Sequence, residues 1–415
     1  MPTPTVLTFE YVPEEEVLKL SGNLVEPWDE KDRCIARISL YELGKLKRAF
    51  RNDVRNMEAR YESRLNFRHD PGYVYEVLEE LFIAGRSFWR AVSGDDFTWL
   101  ENVGEFLALS LPGEWWSAPD PYALANSVYH VETKGPPEAL LPLDALPLGV
   151  RDSLYIAQDE TDVLRLASLF GGFRSIVRHS PLAVGTYLHP PTYGEQATLY
   201  LRSVNVDGNQ KMLEILESAK CTIIGPFPSQ TNYHRAGNIA RALIIPEPAL
   251  GVHPVVPDLV QIHAHAEEGD SLSEKLRITF DYGPEKGEYI VVRSSHIEAV
   301  DEEIERLRGD GISVGTGPLV IFNACEALGT IGNESLSSGL DLSRFGSRAV
   351  IGPREEILAE FAVEFSDMLH EELNKGNTIG EAAVAARWAT LTDYLNPSGL
   401  LYATFGDIES RRSLP

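Results

Sequence analysis

Residues Pro318–Gly329 read PLVIFNACEALG. Leu319 to Phe322 are aliphatic or aromatic throughout, the composition of a strand covered on both faces. The run then stops on Asn323, Ala324, Cys325 and Glu326. A cysteine at that place has two readings. It is a small hydrophobe that often fills cores. It is also a nucleophile, and open α/β sheets bind ligands outside the carboxyl ends of their strands.

Working outward, strands and helices alternate on both sides of this stretch. Upstream, ATLYLRSV (197–204), CTIIGPF (221–227) and PDLVQIHAH (257–265) read as strands. The segments NQKMLEILESA and QTNYHRAGNIARAL between them read as helices. LRITFDYGPEKGEYIVVRSS reads as a hairpin with a glycine-containing turn, and AVDEEIERLRGDG as a helix. Downstream come a short strand RAVIG, two helices, and a last strand in GLLYATFG. Such alternation predicts an α/β fold with a mainly parallel sheet flanked by helices. From Tyr41 to Leu109 the apolar spacing is instead three and four residues, so a mostly helical N-terminal region is expected. The loop-like PGEWWSAPDP (112–121) marks the boundary, giving domains 1–125 and 126–415.

Bulk properties exclude several functions. The formal net charge of −25 disfavours sequence-independent binding to nucleic acid or to anionic membranes. No apolar run is long enough to span a bilayer, and no signal peptide is visible. The three cysteines, Cys34, Cys221 and Cys325, are odd in number and widely spaced. They suggest no disulfide framework and fit a reducing cytoplasm. Cys34 and Cys221 read as packing residues.

In a parallel sheet the ends of LVQIHAH and LVIFNAC emerge at one edge. His265 and Cys325, 60 residues apart in sequence, are then expected to meet there. A thiol is a weak nucleophile until it loses its proton, and an adjacent imidazole can take it. Backbone N–H groups freed where the strands end, at Ala266 and Cys325, can donate to the oxyanion of a tetrahedral intermediate. His263 shares a strand face with His265 if the strand is continuous. It then orients the base, lines the pocket or is structural. The His-x-His spacing also suits a metal ion, although only His296 and His370 follow as further histidine ligands.

These blocks resemble the CHAT family of caspase- and separase-like cysteine peptidases of clan CD. The likeness rests on LVQIHAHAEEG, PLVIFNACEALG and SLSSGLDLSRFGSRAVIG, in that order and spacing. It extends to LPLDALPLG (141–149) upstream and to GNTIGEAAVAAR and LLYATFGD downstream. The resemblance implies a caspase-like sheet, with His265 as general base and Cys325 as nucleophile. It places Ala266 where the family has glycine, and Glu326 on the acidic position after the cysteine. It also offers Asp281 and Glu326 as substrate-pocket candidates suited to a basic side chain, beside His263, which its strand position already makes a candidate. No metal or other cofactor is implied. The expected partners are a protein or peptide substrate and an activating or inhibitory protein, as in defence or programmed-death circuits. Two other readings stand beside this one: a peptidase-fold scaffold without turnover, and a metal-dependent hydrolase using His263 and His265.

Overall fold

The computed structural model describes residues 6–22, 32–63, 70–94, 99–100, 103, 129–149, 159–181, 196–219, 221–228, 236–245, 255–271, 274–282, 289–310, 317–324, 342 and 346–412. They divide into two compact units, one holding 6–181 and 380–402, the other 196–324, 342–379 and 403–412. The boundary expected between residues 125 and 126 lies outside the described residues.

The first unit opens on three strands, β1 (Val6–Val12), β2 (Val17–Gly22) and β3 (Asp32–Arg37), which the helical reading of this region omits. Their signal is a period of two: Leu7, Phe9 and Tyr11, then Leu18 and Leu20, are all buried. Helices α1 (Leu40–Ser63) and α2 (Pro71–Ser93) follow where the apolar spacing predicts them. Asp70 caps α2 by accepting the Gly72 N–H at 2.9 Å, with Pro71 at the first position. Strand β4 (Tyr129–Gly135) pairs parallel with β1, and β5 (Ser175–Pro181) parallel with β4, with helix α3 (Glu160–Ala167) between them. Trp89 from α2 packs in the core against Phe9, Phe88 and Trp99, and its indole N–H donates to the Pro147 carbonyl at 2.8 Å.

The second unit is the α/β part. Its elements are β6 (Ala197–Arg202), α4 (Asn209–Ser218), β7 (Thr222–Phe227), α5 (Ala236–Ile244) and β8 (Leu259–His263). Then come β9 (His265–Ser271), β10 (Glu274–Asp281), β11 (Tyr289–Arg293), α6 (Ser294–Gly309), β12 (Leu319–Asn323), β13 (Ala349–Pro353) and α7 (Ala359–Asn374). The chain next contributes α8 (Ile379–Tyr394) to the first unit and returns with β14 (Tyr402–Gly406). The sheet of this unit runs β14-β13-β12-β8-β6-β7, with every pair from β13 to β7 parallel. Every residue of β8, β12 and β13 is buried, so both faces of these strands are covered. The expected mainly parallel sheet flanked by helices is the fold observed.

One face carries polar residues. Gln261 and His263 of β8 and Asn323 of β12 share it, because the register sets Ile321 opposite Gln261 and Asn323 opposite His263. Helix α7 supplies their partners. The Asn323 side-chain amide donates to the Ala362 carbonyl at 3.1 Å and to the Ser366 hydroxyl at 2.8 Å. Gln261 donates to the Ile262 carbonyl, which turns its oxygen toward His370, where it accepts from Nε2 at 2.9 Å. A buried polar side chain costs stability unless paired, so these contacts fix how α7 lies on the sheet.

His370 is 1% exposed, and burial pushes its pKa down to about 3. It therefore folds neutral, while in the unfolded chain it titrates near the ordinary histidine value of about 6.5. The stability tied to its neutral form is fully present above pH 6.5 and falls as pH drops below that value, because the unfolded state then binds the extra proton. The slope approaches about 1.4 kcal/mol per pH unit. Urea midpoints between pH 7 and 4.5 should fall less steeply for His370→Gln, which keeps a donor for Gln261, than for the wild type.

Candidate active site

The strands leading to the two candidate catalytic residues are neighbours. β8 and β12 run parallel, side by side, and their last residues, His263 and Asn323, stand opposite each other. Two positions further along each chain are His265 and Cys325. The Ala264 N–H donates to the Asn323 carbonyl at 3.3 Å, so the pairing persists one step past the strand ends. Ala324 is buried. Cys325 and Glu326 lie outside the described residues.

His265 itself departs from expectation. The sequence reads LVQIHAH as one strand, with both histidines on one face. In the structure β8 ends at His263, and β9 begins at His265 in a separate three-stranded antiparallel sheet ordered β11-β10-β9. The break at Ala264 takes the two side chains apart. His263 is fully buried, while His265 is exposed at the sheet rim opposite Thr279 of β10.

His263 is thus held under the rim. Its Nε2–H donates to the Asp207 carbonyl at 2.7 Å. Burial lowers its pKa, the Asp207 carbonyl opposes that shift, and a charge on nearby His265 adds to it. His263 thereby ties down the loop after β6.

The same break removes the shared face that a His-x-His metal pair requires. His296 is used at the start of α6, where its Nδ1 accepts the Arg293 N–H at 3.1 Å, and His370 is held by Gln261. Among the described residues no group of three or more His, Cys, Asp or Glu side chains is arranged to hold a metal ion.

Ala266, the residue placed where the resembled family has glycine, is the second residue of β9 and pairs with Ile278. Its backbone is ordinary strand and not among the positive-φ residues of the chain. Alanine adopts that conformation without strain, so the substitution needs no distortion of the rim.

Asp281, a pocket candidate from the sequence, is half-buried at the end of β10 and engaged by Ser203 at the end of β6. The Ser203 hydroxyl donates to Asp281 Oδ2 at 2.7 Å and lies 3.0 Å from the Asp281 backbone nitrogen, whose N–H it accepts. Ser203 was not singled out in the sequence, nor were Asp207 and Asn209. Their signal was available: SVNVDGN clusters turn-forming residues at the carboxyl end of a strand, the edge at which open α/β sheets generally bind ligands.

Of the other two cysteines, Cys34 is exposed rather than packed, and Cys221 is partly buried with its sulfur 3.4 Å from the Thr198 hydroxyl. No described helix is long and apolar enough to cross a membrane.

No protein-family model and no curated protein matches the chain. Among solved structures, it is similar to a complex of Porphyromonas gingivalis RgpB pro- and mature domains. That match has 13% identity and a TM-score of 0.40, over 75% of this chain and 70% of that one. It is also similar to a chain of the Saccharomyces cerevisiae separase–securin complex, at 11% identity and a TM-score of 0.42 over 97% of this chain. This chain spans only 30% of the length of that one. A third match, described as "Structure of Protease", has 11% identity and a TM-score of 0.39, over 75% of this chain and 68% of that one.

Proposed function

We propose that this chain is a cysteine peptidase of the caspase-like, CHAT type, cleaving protein or peptide substrates with His265 as general base and Cys325 as nucleophile. The observation that carries the reading is the register of β8 against β12. It sets the last residues of the two strands, His263 and Asn323, opposite each other at one edge of a parallel sheet, two positions before His265 and Cys325 in the sequence. In this mechanism the His265 imidazole takes the Cys325 proton and the thiolate attacks the substrate carbonyl. The oxyanion accepts from the backbone N–H groups of Ala266 and Cys325. Collapse breaks the C–N bond, the imidazolium gives its proton to the departing amine, and a thioester remains. Water, deprotonated by the same imidazole, hydrolyses the thioester and restores the thiol.

The reading carries two finer parts. Glu326 serves the substrate pocket, and the region 1–125 docks an activating or inhibitory protein, so that cleavage is regulated. Incubation of the full chain with a diverse peptide pool, with and without prior iodoacetamide treatment, tests the whole. New peptide termini that the alkylating agent suppresses are expected. A chelator-sensitive, alkylation-insensitive activity would point to the metal hydrolase instead. Absence of new termini, with Cys325 reacting as an ordinary thiol, would point to a scaffold.

A further inference from the structure

Ser203 is fully buried and joins three elements at the carboxyl edge of the sheet. Its backbone N–H donates to the His263 carbonyl of β8 at 2.8 Å, and its carbonyl accepts from the Asn209 side chain of α4 at 2.7 Å. Its hydroxyl holds Asp281 at the end of β10 through the two contacts given above. A further bond, from the Val204 N–H to the Asp281 carbonyl at 2.9 Å, runs between the same segments. β10 in turn pairs with β9, with Thr279 opposite His265 and Ile278 opposite Ala266. The small sheet that carries His265 is therefore fastened to the main sheet, at β6, two residues from the Thr279–His265 pair.

We infer that Ser203 and Asp281 form a clasp that positions His265, with Asp281 acting as a hydrogen-bond acceptor for Ser203 rather than as a charge that receives a basic substrate side chain. The inference rests on the proposed role of His265, but the clasp is a property of the fold and can be tested apart from it. The chemistry separates the two roles of Asp281. Asparagine retains an acceptor oxygen for the Ser203 hydroxyl and loses the charge, whereas alanine loses both. Displacing a base by about 1 Å costs on the order of 100-fold in rate.

The experiment compares Asp281→Asn, Asp281→Ala and Ser203→Ala by two measurements on the full chain. The first is backbone hydrogen exchange of residues 265–271 and 274–281. Alanine at either position should speed exchange in both segments, and Asp281→Asn should leave them close to wild type. The second is steady-state cleavage of any peptide the wild type cuts, with basic and non-basic residues before the scissile bond. The alanine variants should lose kcat by about 10- to 100-fold with little change in KM, and asparagine should restore it. Unchanged exchange in both alanine variants would overturn the clasp, even if the protein is an active peptidase. Loss in Asp281→Asn as deep as in Asp281→Ala, confined to basic substrates, would also overturn it, and Asp281 would then be a charge-recognition residue. If the wild type cuts nothing, the peptidase reading fails and the exchange measurement alone decides the clasp.

Discussion

Cys325→Ala should abolish peptide cleavage, lowering kcat/KM by at least about a thousandfold, with no loss of folded protein. In the proposed mechanism the sulfur is the atom that bonds to the acyl group, and alanine offers no replacement. His265→Ala should cost nearly as much. Without the imidazole the thiol is mostly protonated near neutral pH, and the departing amine has no proton donor. The two losses should not add: the double variant should be about as slow as either single one, because the residues act as a unit. His265 is exposed and held through backbone pairing, so its removal should leave the urea midpoint unchanged. A rate for either variant within a few fold of wild type would remove the dyad from the mechanism.

Arg412→Ala should destabilise the second unit by about 3–5 kcal/mol. The Asp258 and Arg412 side chains are both fully buried. The Arg412 guanidinium donates to both Asp258 carboxylate oxygens at 3.2 Å, to the Thr198 hydroxyl at 3.0 Å and to Asn374 Oδ1 at 3.3 Å. Asp258 also accepts the Ala197 N–H at 2.9 Å and precedes β8, so the pair ties β6, β8 and α7 at the amino ends of the strands. Alanine would remove the guanidinium that pairs with this buried carboxylate. Replacing both partners, as in Asp258→Asn with Arg412→Met, should cost less than Arg412→Ala alone, since both charges of the pair are then removed together. Denaturant titration of the three variants checks this order. The pair lies at the edge away from His265, so folded Arg412→Ala should cleave at the wild-type rate.

The parts of the fold that local pattern dictates were legible in the sequence. Aliphatic runs located β8, β12 and β13, and the three- and four-residue spacing located α1, α2 and α7. The alternation of strand and helix gave a parallel sheet, hence the expectation that His265 and Cys325 follow neighbouring strands. What local pattern does not carry was missed. His-Ala-His reads equally well as one strand or as two strands meeting at a break. The break at Ala264 is set by the pairing of Ala266 with Ile278 and of His263 with Asn323, both long-range choices. The Ser203–Asp281 contact joins residues 78 apart, and the Arg387–Asp144 ion pair in the first unit joins residues 243 apart at 2.8 Å. No periodicity announces such contacts. The strands β1 and β2 are a different case. Their period-two alternation is visible in the sequence, but it lies ahead of the helical spacing that dominates the region from Tyr41 onward.

The central claim, that His265 and Cys325 share a proton at one lip of the sheet, is tested most directly by the pH dependence of Cys325 alkylation. Adducts should be located by peptide mapping, because Cys34 is exposed and will react too. In the wild type the rate at Cys325 should rise well below the ordinary thiol pKa of about 8.5, and in His265→Ala that early rise should disappear. A Cys325 profile that follows an ordinary thiol in the wild type, and is the same in His265→Ala, would contradict the account.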